Sequence, residues 1–507
     1  MTDGASREPA VPETRAVSRW RWWLAAAAAA GLAAAVYLVH LPWPLANIDD
    51  YNLLPFGRGF AGALEGAWRG DLALGRFRPL YWVLEGALGA LTGASGTLLH
   101  VGRVACLAAA VALQVLLARR LGAGPVAAAG LALLVAWSLP ALDVWSPGGP
   151  AEAFAQPLAL ACTLLLLRVK RPAGLAAAGA LGLAACLVKE SYAAWTGGAM
   201  AAFAAWSLLR GERRSAISLA LAAAVQFTPA LLGSGLLAAW RGSYAKHVLM
   251  EISLGPIDAA ALVLGRSPLA TALGVLGLAT VIVRLVQLRP RHWPLEDVVL
   301  LGALGAVAAE TLLLGLVVRR YQLQLVTWLY LAAARGATSL PRGRWAPVGA
   351  VAVAVLILGP AGAAGVRAYH ATQVESAGAR SDGRLRDMLA SALVQRGEVR
   401  ILWTPQDVER PIGALKHLEA AGVVGRVELA PCIPIPAAMA DTRGPLFGTF
   451  PGPVGPGAPV VMSSRCGAYE PYAVEDVCTL ELPGRDRLLP ALECGGFQEH
   501  GALFGMR

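Results

Sequence analysis

Between Trp22 and Ala364 the chain carries eleven apolar stretches, each long enough to cross a lipid bilayer. A hydrocarbon core of about 30 Å takes roughly 20 residues of helix. The stretches fall near 22–39, 98–118, 124–142, 152–168, 172–188, 192–209, 215–238, 268–288, 296–317, 322–337 and 345–364. With no water in the hydrocarbon to satisfy peptide groups, such stretches must be helices. Charged residues make up 15% of the chain and hydrophobic ones 56%, whereas about a quarter of an ordinary soluble domain is charged. The predicted fold class is an all-α polytopic membrane domain with about eleven transmembrane helices.

Orientation follows from the cations. The clusters Arg15/Arg19/Arg21, Arg119/Arg120, Lys170/Arg171, Arg210/Arg213/Arg214, Arg284/Arg289/Arg291 and Arg335/Arg342/Arg344 occupy alternate loops. By the positive-inside rule they share the cytoplasmic side, with the N-terminus in and the C-terminus out. Asp49, Asp50, Glu65, Asp71, Asp143, Glu152, Glu190, Glu251 and Asp258 then face outward, and the expected location is the plasma (inner) membrane. The last 143 residues hold 14 basic and 16 acidic side chains, so the net charge of +10 belongs to the membrane part and reports topology. A nucleic-acid partner is not expected.

Three regions follow: a disordered cytoplasmic tail over 1–20, a transmembrane domain over 21–365 with a long first outer loop at 40–97, and an extracytoplasmic domain over 366–507. The first apolar stretch runs into HLPWPL without a cleavage site and reads as a retained anchor. Residues 79–94 resemble a short span, but counting them as one would place Arg119 and Arg120 outside and invert every later loop. They are predicted to form a helix in or on the outer leaflet, preceded by an amphipathic piece near Phe56 to Trp68, so that the first loop is a structured lid. The alternative is a twelfth span with inverted downstream topology.

In the last region, helices are predicted over 384–395 and 412–421 and strands over 399–403, 423–429 and 459–462, with the Pro/Gly-rich run GPLFGTFPGPVGPGAP as a loop. This is a small α/β domain. Cys432, Cys466, Cys478 and Cys494 all fall in it, which predicts two disulfides among three connectivities, with four free thiols as the alternative. The spacing of a zinc site is absent. Cys106, Cys162 and Cys186 lie in apolar stretches and read as small fillers.

Candidate chemistry gathers at outer helix ends. Asp49 and Asp50, in NIDDYN, follow the first span, where a carboxylate is placed to act as a general base on a hydroxyl acceptor. Downstream come Arg76 and Arg78 in GRFRPLY, Lys189 and Glu190 in KES, and Arg319, Arg320 and Tyr321 in RRY. Cations on the outer side run against the positive-inside tendency and suit an anionic headgroup, although basic residues there also snorkel. Glu152, in WSPGGPAEAF, could help the acid pair hold a divalent cation or favour a helix N-terminus. The second reading is preferred, and metal dependence is left open.

Taken together and in this order, these motifs resemble the GT-C superfamily of polytopic glycosyltransferases, which includes protein O-mannosyltransferases and aminoarabinose and arabinofuranose transferases. The resemblance covers about residues 20–340. It implies an enzyme that moves a sugar from a polyprenyl-phosphate donor to a glycan, lipid or protein acceptor on the outer face. It also implies Asp49 as catalytic base with Asp50 beside it, and Arg320, with Arg319, Lys189, Arg78 and Arg76, at the donor phosphate. Glu190, Tyr321 and Glu152 would support them. The late motif departs from the family pattern: Tyr321 is followed by Gln322-Leu323-Gln324 and not by a proline.

Two other classes compete. A transporter or lipid flippase would explain the spans and would use Glu310, the acid buried mid-span, but predicts broken midplane helices and a repeat between halves, neither of which is visible. A non-catalytic scaffold carrying the outer domain is the third.

Overall fold

The computed structural model describes residues 13–42, 54–57, 59–73, 76–93, 95–145, 150–168, 171–233, 256–313, 319–337, 346–435, 437, 444–463, 466, 477–481 and 489–490. Asp49, Asp50 and Cys494 lie outside the described residues.

Helices dominate. In chain order they are α1 (Glu13–Leu38), α2 (Phe60–Ala73), α3 (Pro79–Thr92), α4 (Gly96–Arg120), α5 (Pro125–Ala136), α6 (Leu139–Trp145), α7 (Glu152–Arg168), α8 (Pro172–Val188) and α9 (Tyr192–Leu209). They continue as α10 (Arg213–Ala230), α11 (Pro256–Arg266), α12 (Pro268–Gln287), α13 (Leu295–Leu313), α14 (Leu323–Gly336), α15 (Ala346–Arg396) and α16 (Glu409–Ala420). Among the described residues, four segments are by themselves long and apolar enough to cross a membrane: Trp20–Leu38, Gly96–Arg120, Arg213–Gly233 and Pro268–Gln287. The helices α5 and α6 meet that measure together, bent by 66°. The other predicted stretches hold helices as well, some short, such as the 17 residues of α7 and α8 and the 14 of α14.

The first outer loop is folded. Proline opens α3 at its first position, where a missing N–H costs nothing, and Gly93 closes it in a left-handed conformation (φ 59°). At 14 residues, α3 spans only about 21 Å, short of a hydrocarbon core. It packs on α2, α4 and α8. Phe56, buried in the 3-10 turn Leu54–Gly57, lies so close to Gly86 that a Cβ there would meet its ring at 2.3 Å.

Two glycine crossings bring helices into backbone contact. At α12 and α14, a Cβ on Gly277 would sit 2.2 Å from the Ala332 carbonyl oxygen; at α9 and α13, Gly302 would meet Ala202 at 2.3 Å. Such approaches are the usual means of packing helices where burial from water gives no drive.

The opposite ends of the bundle carry separate charged clusters. Asp297, fully buried at the start of α13, accepts from Arg335 at 2.5 Å and lies 3.7 Å from Arg284. Arg335 also donates to the Leu121 carbonyl, and Arg120 pairs with Glu296 at 3.1 Å. Because α14 runs from the Arg319–Tyr321 turn to Arg335, these basic groups lie about 20 Å from that turn along the helix axis.

The helix expected over 384–395 is the last part of α15, a 51-residue helix that begins in the final apolar stretch. The boundary expected at 365/366 therefore falls inside a helix with no linker. Thr372 and Ser376 on α15 donate to the carbonyls of Val36 and His40, binding this helix to the end of α1.

Beyond it lies a six-stranded sheet of order β3-β2-β1-β4-β5-β6, formed by Glu398–Trp403 (β1), Arg426–Pro431 (β2), Gly448–Phe450 (β3), Val460–Ser463 (β4), Val477–Glu481 (β5) and Leu489–Pro490 (β6). The centre is parallel: β1 pairs with β2 and β4, and α16 links β1 to β2. The outer pairings are antiparallel. The second strand starts three residues later than expected because Gly422 (φ 79°) ends α16 and a turn follows. The Pro/Gly-rich run contributes the short edge strand β3. Cys432 and Cys466 form one of the two expected disulfides; Cys494 lies outside the described residues.

Candidate functional site

Four chain segments converge at one end of the bundle, each at a helix end. Lys189 caps α8, Glu152 opens α7, Arg319–Gln322 form a 3-10 turn ahead of α14, and Arg76–Arg78 precede α3. Apolar helices deliver these groups because each polar residue stands where the hydrophobic run stops.

Lys189 is the hub. Its Nζ lies 3.7 Å from Glu152 Oε1, 3.5 Å from the Tyr321 hydroxyl and 4.7 Å from the centre of the Tyr321 ring. Burial works to lower the Lys189 pKa, but Glu152, Tyr321 and Glu190 outweigh it and raise the value. The ammonium is thus fixed in its charged form. Tyr321 moves the opposite way: Lys189 pulls its phenol below the ordinary range against the effect of burial. The Arg320 guanidinium stands 5.6 Å over the same ring. Tyr321 therefore carries two cations on its face, an arrangement worth up to about 2 kcal/mol when desolvated.

The arginines of the late motif part company. Arg320 is half-buried on Tyr321, while Arg319 is exposed. Both act electrostatically on Asp143 in α6.

Arg78 is buried and bonded in a fork to Asp71 of α2, at 3.2 Å from Nε and 2.7 Å from Nη2; Trp82 Nε1 donates to the same carboxylate at 2.7 Å. Burial lowers its pKa and the Asp71 pair raises it more, for a net upward shift. Its guanidinium also lies 5.0 Å over Tyr81, and its charge reaches Glu190 and Glu152. Arg78 thus fastens the outer-loop helices and adds positive field to the cluster. Arg76 is half-buried two residues earlier, where the turn after α10 approaches: a Cβ on Gly233 would come within 3.1 Å of Phe77 N.

Among the described residues, Glu190 Oε2 and Gln324 Oε1 accept no hydrogen bond, and Glu152 Oε1 is held by the Lys189 ion pair alone. Glu152 and Gln324 are each 2% exposed. Next to them, Tyr192 donates to Gln156 at 2.7 Å and Gln156 to Thr327 at 2.9 Å, closing the site toward the interior of the helix bundle. Buried acceptors without donors cost about 1–3 kcal/mol each, so these oxygens call for a donor from a bound molecule.

Arg319, Arg320, Tyr321, Lys189, Glu190, Glu152, Arg78 and Arg76 are all described. Lys189, Glu152, Tyr321 and Arg320 are in direct or near contact, and Glu190 and Arg78 act on them by charge. Among the described residues no group of three or more His, Cys, Asp or Glu is arranged to hold a metal. Three residues were not singled out from the sequence: Asp71 as the partner of Arg78, Ser191, and Gln324. The only sequence signal for Gln324 is its place in the Gln322-Leu323-Gln324 step that follows Tyr321.

No protein-family profile matches the chain, and no curated protein is similar enough in sequence to match it. Solved structures do. ArnT from Cupriavidus metallidurans in the apo state is similar with a TM-score of 0.49 at 14% identity, over 84% of this chain and 90% of that one. The same protein bound to undecaprenyl phosphate is similar with a TM-score of 0.49 at 13% identity, over 89% of this chain and 96% of that one.

Proposed function

We propose that this protein is a membrane glycosyltransferase of the GT-C type. It would move a sugar from a polyprenyl-phosphate donor to a glycan, lipid or protein acceptor on the extracytoplasmic face of the plasma membrane. The observation that carries the reading is the half-buried Lys189–Tyr321–Arg320 cluster, with the Glu190 and Gln324 oxygens that accept no hydrogen bond among the described residues, at one end of an apolar helix bundle. A lipid-linked phosphosugar has its reactive carbon at headgroup depth. Phosphate-binding cations must then sit at helix ends, as these do.

In this reading Lys189 and Arg320 hold the phosphate and stabilise the charge that develops on it as the glycosidic bond breaks. Charge-assisted hydrogen bonds in a water-poor site are the strong kind. Glu152 keeps Lys189 charged and in place. Arg78, fastened by Asp71, sets the lid of outer-loop helices over the site and limits hydrolysis of the donor. Asp49, from the segment between α1 and the Leu54–Gly57 turn, is assigned as general base toward the acceptor hydroxyl, with Asp50 beside it. The N-terminus is placed in the cytoplasm and the sheet domain outside.

The test is transfer of labelled sugar from a polyprenyl-phosphate donor by the purified chain in nanodiscs. Asp49→Asn should lower the rate by about 10²–10⁴ and leave donor binding intact, and Arg320→Ala should weaken donor binding. A transporter would show the reverse emphasis, with Glu310→Gln the damaging change and no labelled product from any acceptor.

A further inference from the structure

Two of the unpartnered oxygens have a geometry of their own. The side-chain amide nitrogen of Gln324 donates to Ser191 Oγ at 3.2 Å, which turns its carbonyl oxygen away from that bond, and among the described residues this oxygen accepts nothing. Glu190, the chain neighbour of Ser191, has a buried Oε2 that also accepts nothing among the described residues. Its charge acts on Lys189, Tyr321 and Arg78. These groups come from different elements, the 189–191 turn and the first turn of α14, and meet beside the cations.

The chemistry of the ligand follows. Phosphate oxygens are acceptors, so they belong on Lys189 and Arg320 and are repelled by Glu190 Oε2 and Gln324 Oε1. The same ligand must therefore present hydrogen-bond donors on its other side, and a sugar's hydroxyls are such donors. An apolar lipid tail supplies none.

Building on the donor reading above, we propose that Gln324 and Glu190 accept hydrogen bonds from hydroxyls of the transferred sugar and so determine specificity. The substrate is a polyprenyl phosphate whose sugar keeps free hydroxyls on the edge facing the 189–191 turn. Ser191 is a positioning residue that fixes the orientation of the Gln324 amide.

The experiment measures equilibrium binding to the full chain in nanodiscs of bare undecaprenyl phosphate and of a panel of undecaprenyl-phosphate pentoses and hexoses. At least one sugar-bearing lipid should bind about tenfold or more tightly than the bare lipid, the equivalent of one well-satisfied buried acceptor. Gln324→Met, which keeps length and removes the acceptor, should abolish that increment while bare-lipid affinity changes less than about threefold. Glu190→Gln should reduce the increment, with bare-lipid binding unchanged or tighter, and it serves as the second variant should the first not fold. An increment that survives both substitutions, or a wild-type chain that binds bare and sugar-bearing lipids alike, overturns the inference and leaves the phosphate site standing. A wild-type chain that binds no bare lipid overturns the donor reading and this inference with it.

Discussion

Lys189 stands between a carboxylate and a phenol, and that placement makes the site sensitive to pH in a stated direction. Tyr321 titrates below its ordinary range because of Lys189, and Lys189 above its own because of Glu152 and Tyr321. As pH rises, the phenol ionises first and places a negative charge 3.5 Å from the ammonium, cancelling it for an incoming phosphate. Donor binding should therefore weaken through the lowered Tyr321 value, while Lys189 is still protonated. In Tyr321→Phe this limb should move to higher pH, read as affinity for lipid phosphate against pH. Equal limbs in both proteins would remove Tyr321 from the titration. Lys189, Glu190, Arg320, Tyr321 and Glu152 were legible in the sequence because each interrupts an apolar run at a helix end. The Asp71 partner of Arg78 and the Gln324 bond to Ser191 were not, since a tertiary partner leaves no local pattern and a glutamine in an apolar helix resembles filler. With Asp71→Asn, Arg78 loses its anionic partner; breaking such a buried pair costs about 3–5 kcal/mol, so the thermal unfolding temperature should fall.

Among elements, the glycine crossings decide how closely the helices approach. A side chain on Gly277 would press on the Ala332 backbone, which cannot swing aside as a rotamer can. Gly277→Val should destabilise the bundle by about 1–3 kcal/mol, the usual cost of overpacking. Gly305→Ala, on α13 with nothing within 4 Å of its added Cβ, should leave thermal unfolding almost unchanged; equal shifts would contradict the crossing as described. The helices were readable from hydropathy, and α3 from the proline that opens it, because those signals are local. The continuity of α15 was not readable. Its polar second half follows an apolar first half, and a composition change reads as a boundary although the backbone hydrogen bonds run through. The edge strand β3 was hidden for a similar reason: its glycine-rich sequence reads as loop, and pairing with β2 makes it a strand.

Over the whole molecule, two charged clusters at opposite ends of the bundle give the proposed orientation a direct check. Cysteines introduced beside Lys189 and Arg320 should react with an impermeant reagent from outside the cell, and cysteines beside Arg120 and Arg335 only after permeabilisation. The Cys432–Cys466 disulfide fits the same sidedness, since such bonds persist in oxidising compartments. Peptide mapping without reductant should recover that linked pair from cells. The central claim is that the Lys189–Tyr321–Arg320 cluster holds a lipid phosphate, and undecaprenyl phosphate binding to the purified chain tests it most directly. Lys189→Ala and Arg320→Ala should each weaken binding by about tenfold or more, the loss of one charge-assisted partner, with Asp49→Asn binding as the wild type does. Undiminished binding in both cation variants would contradict the account.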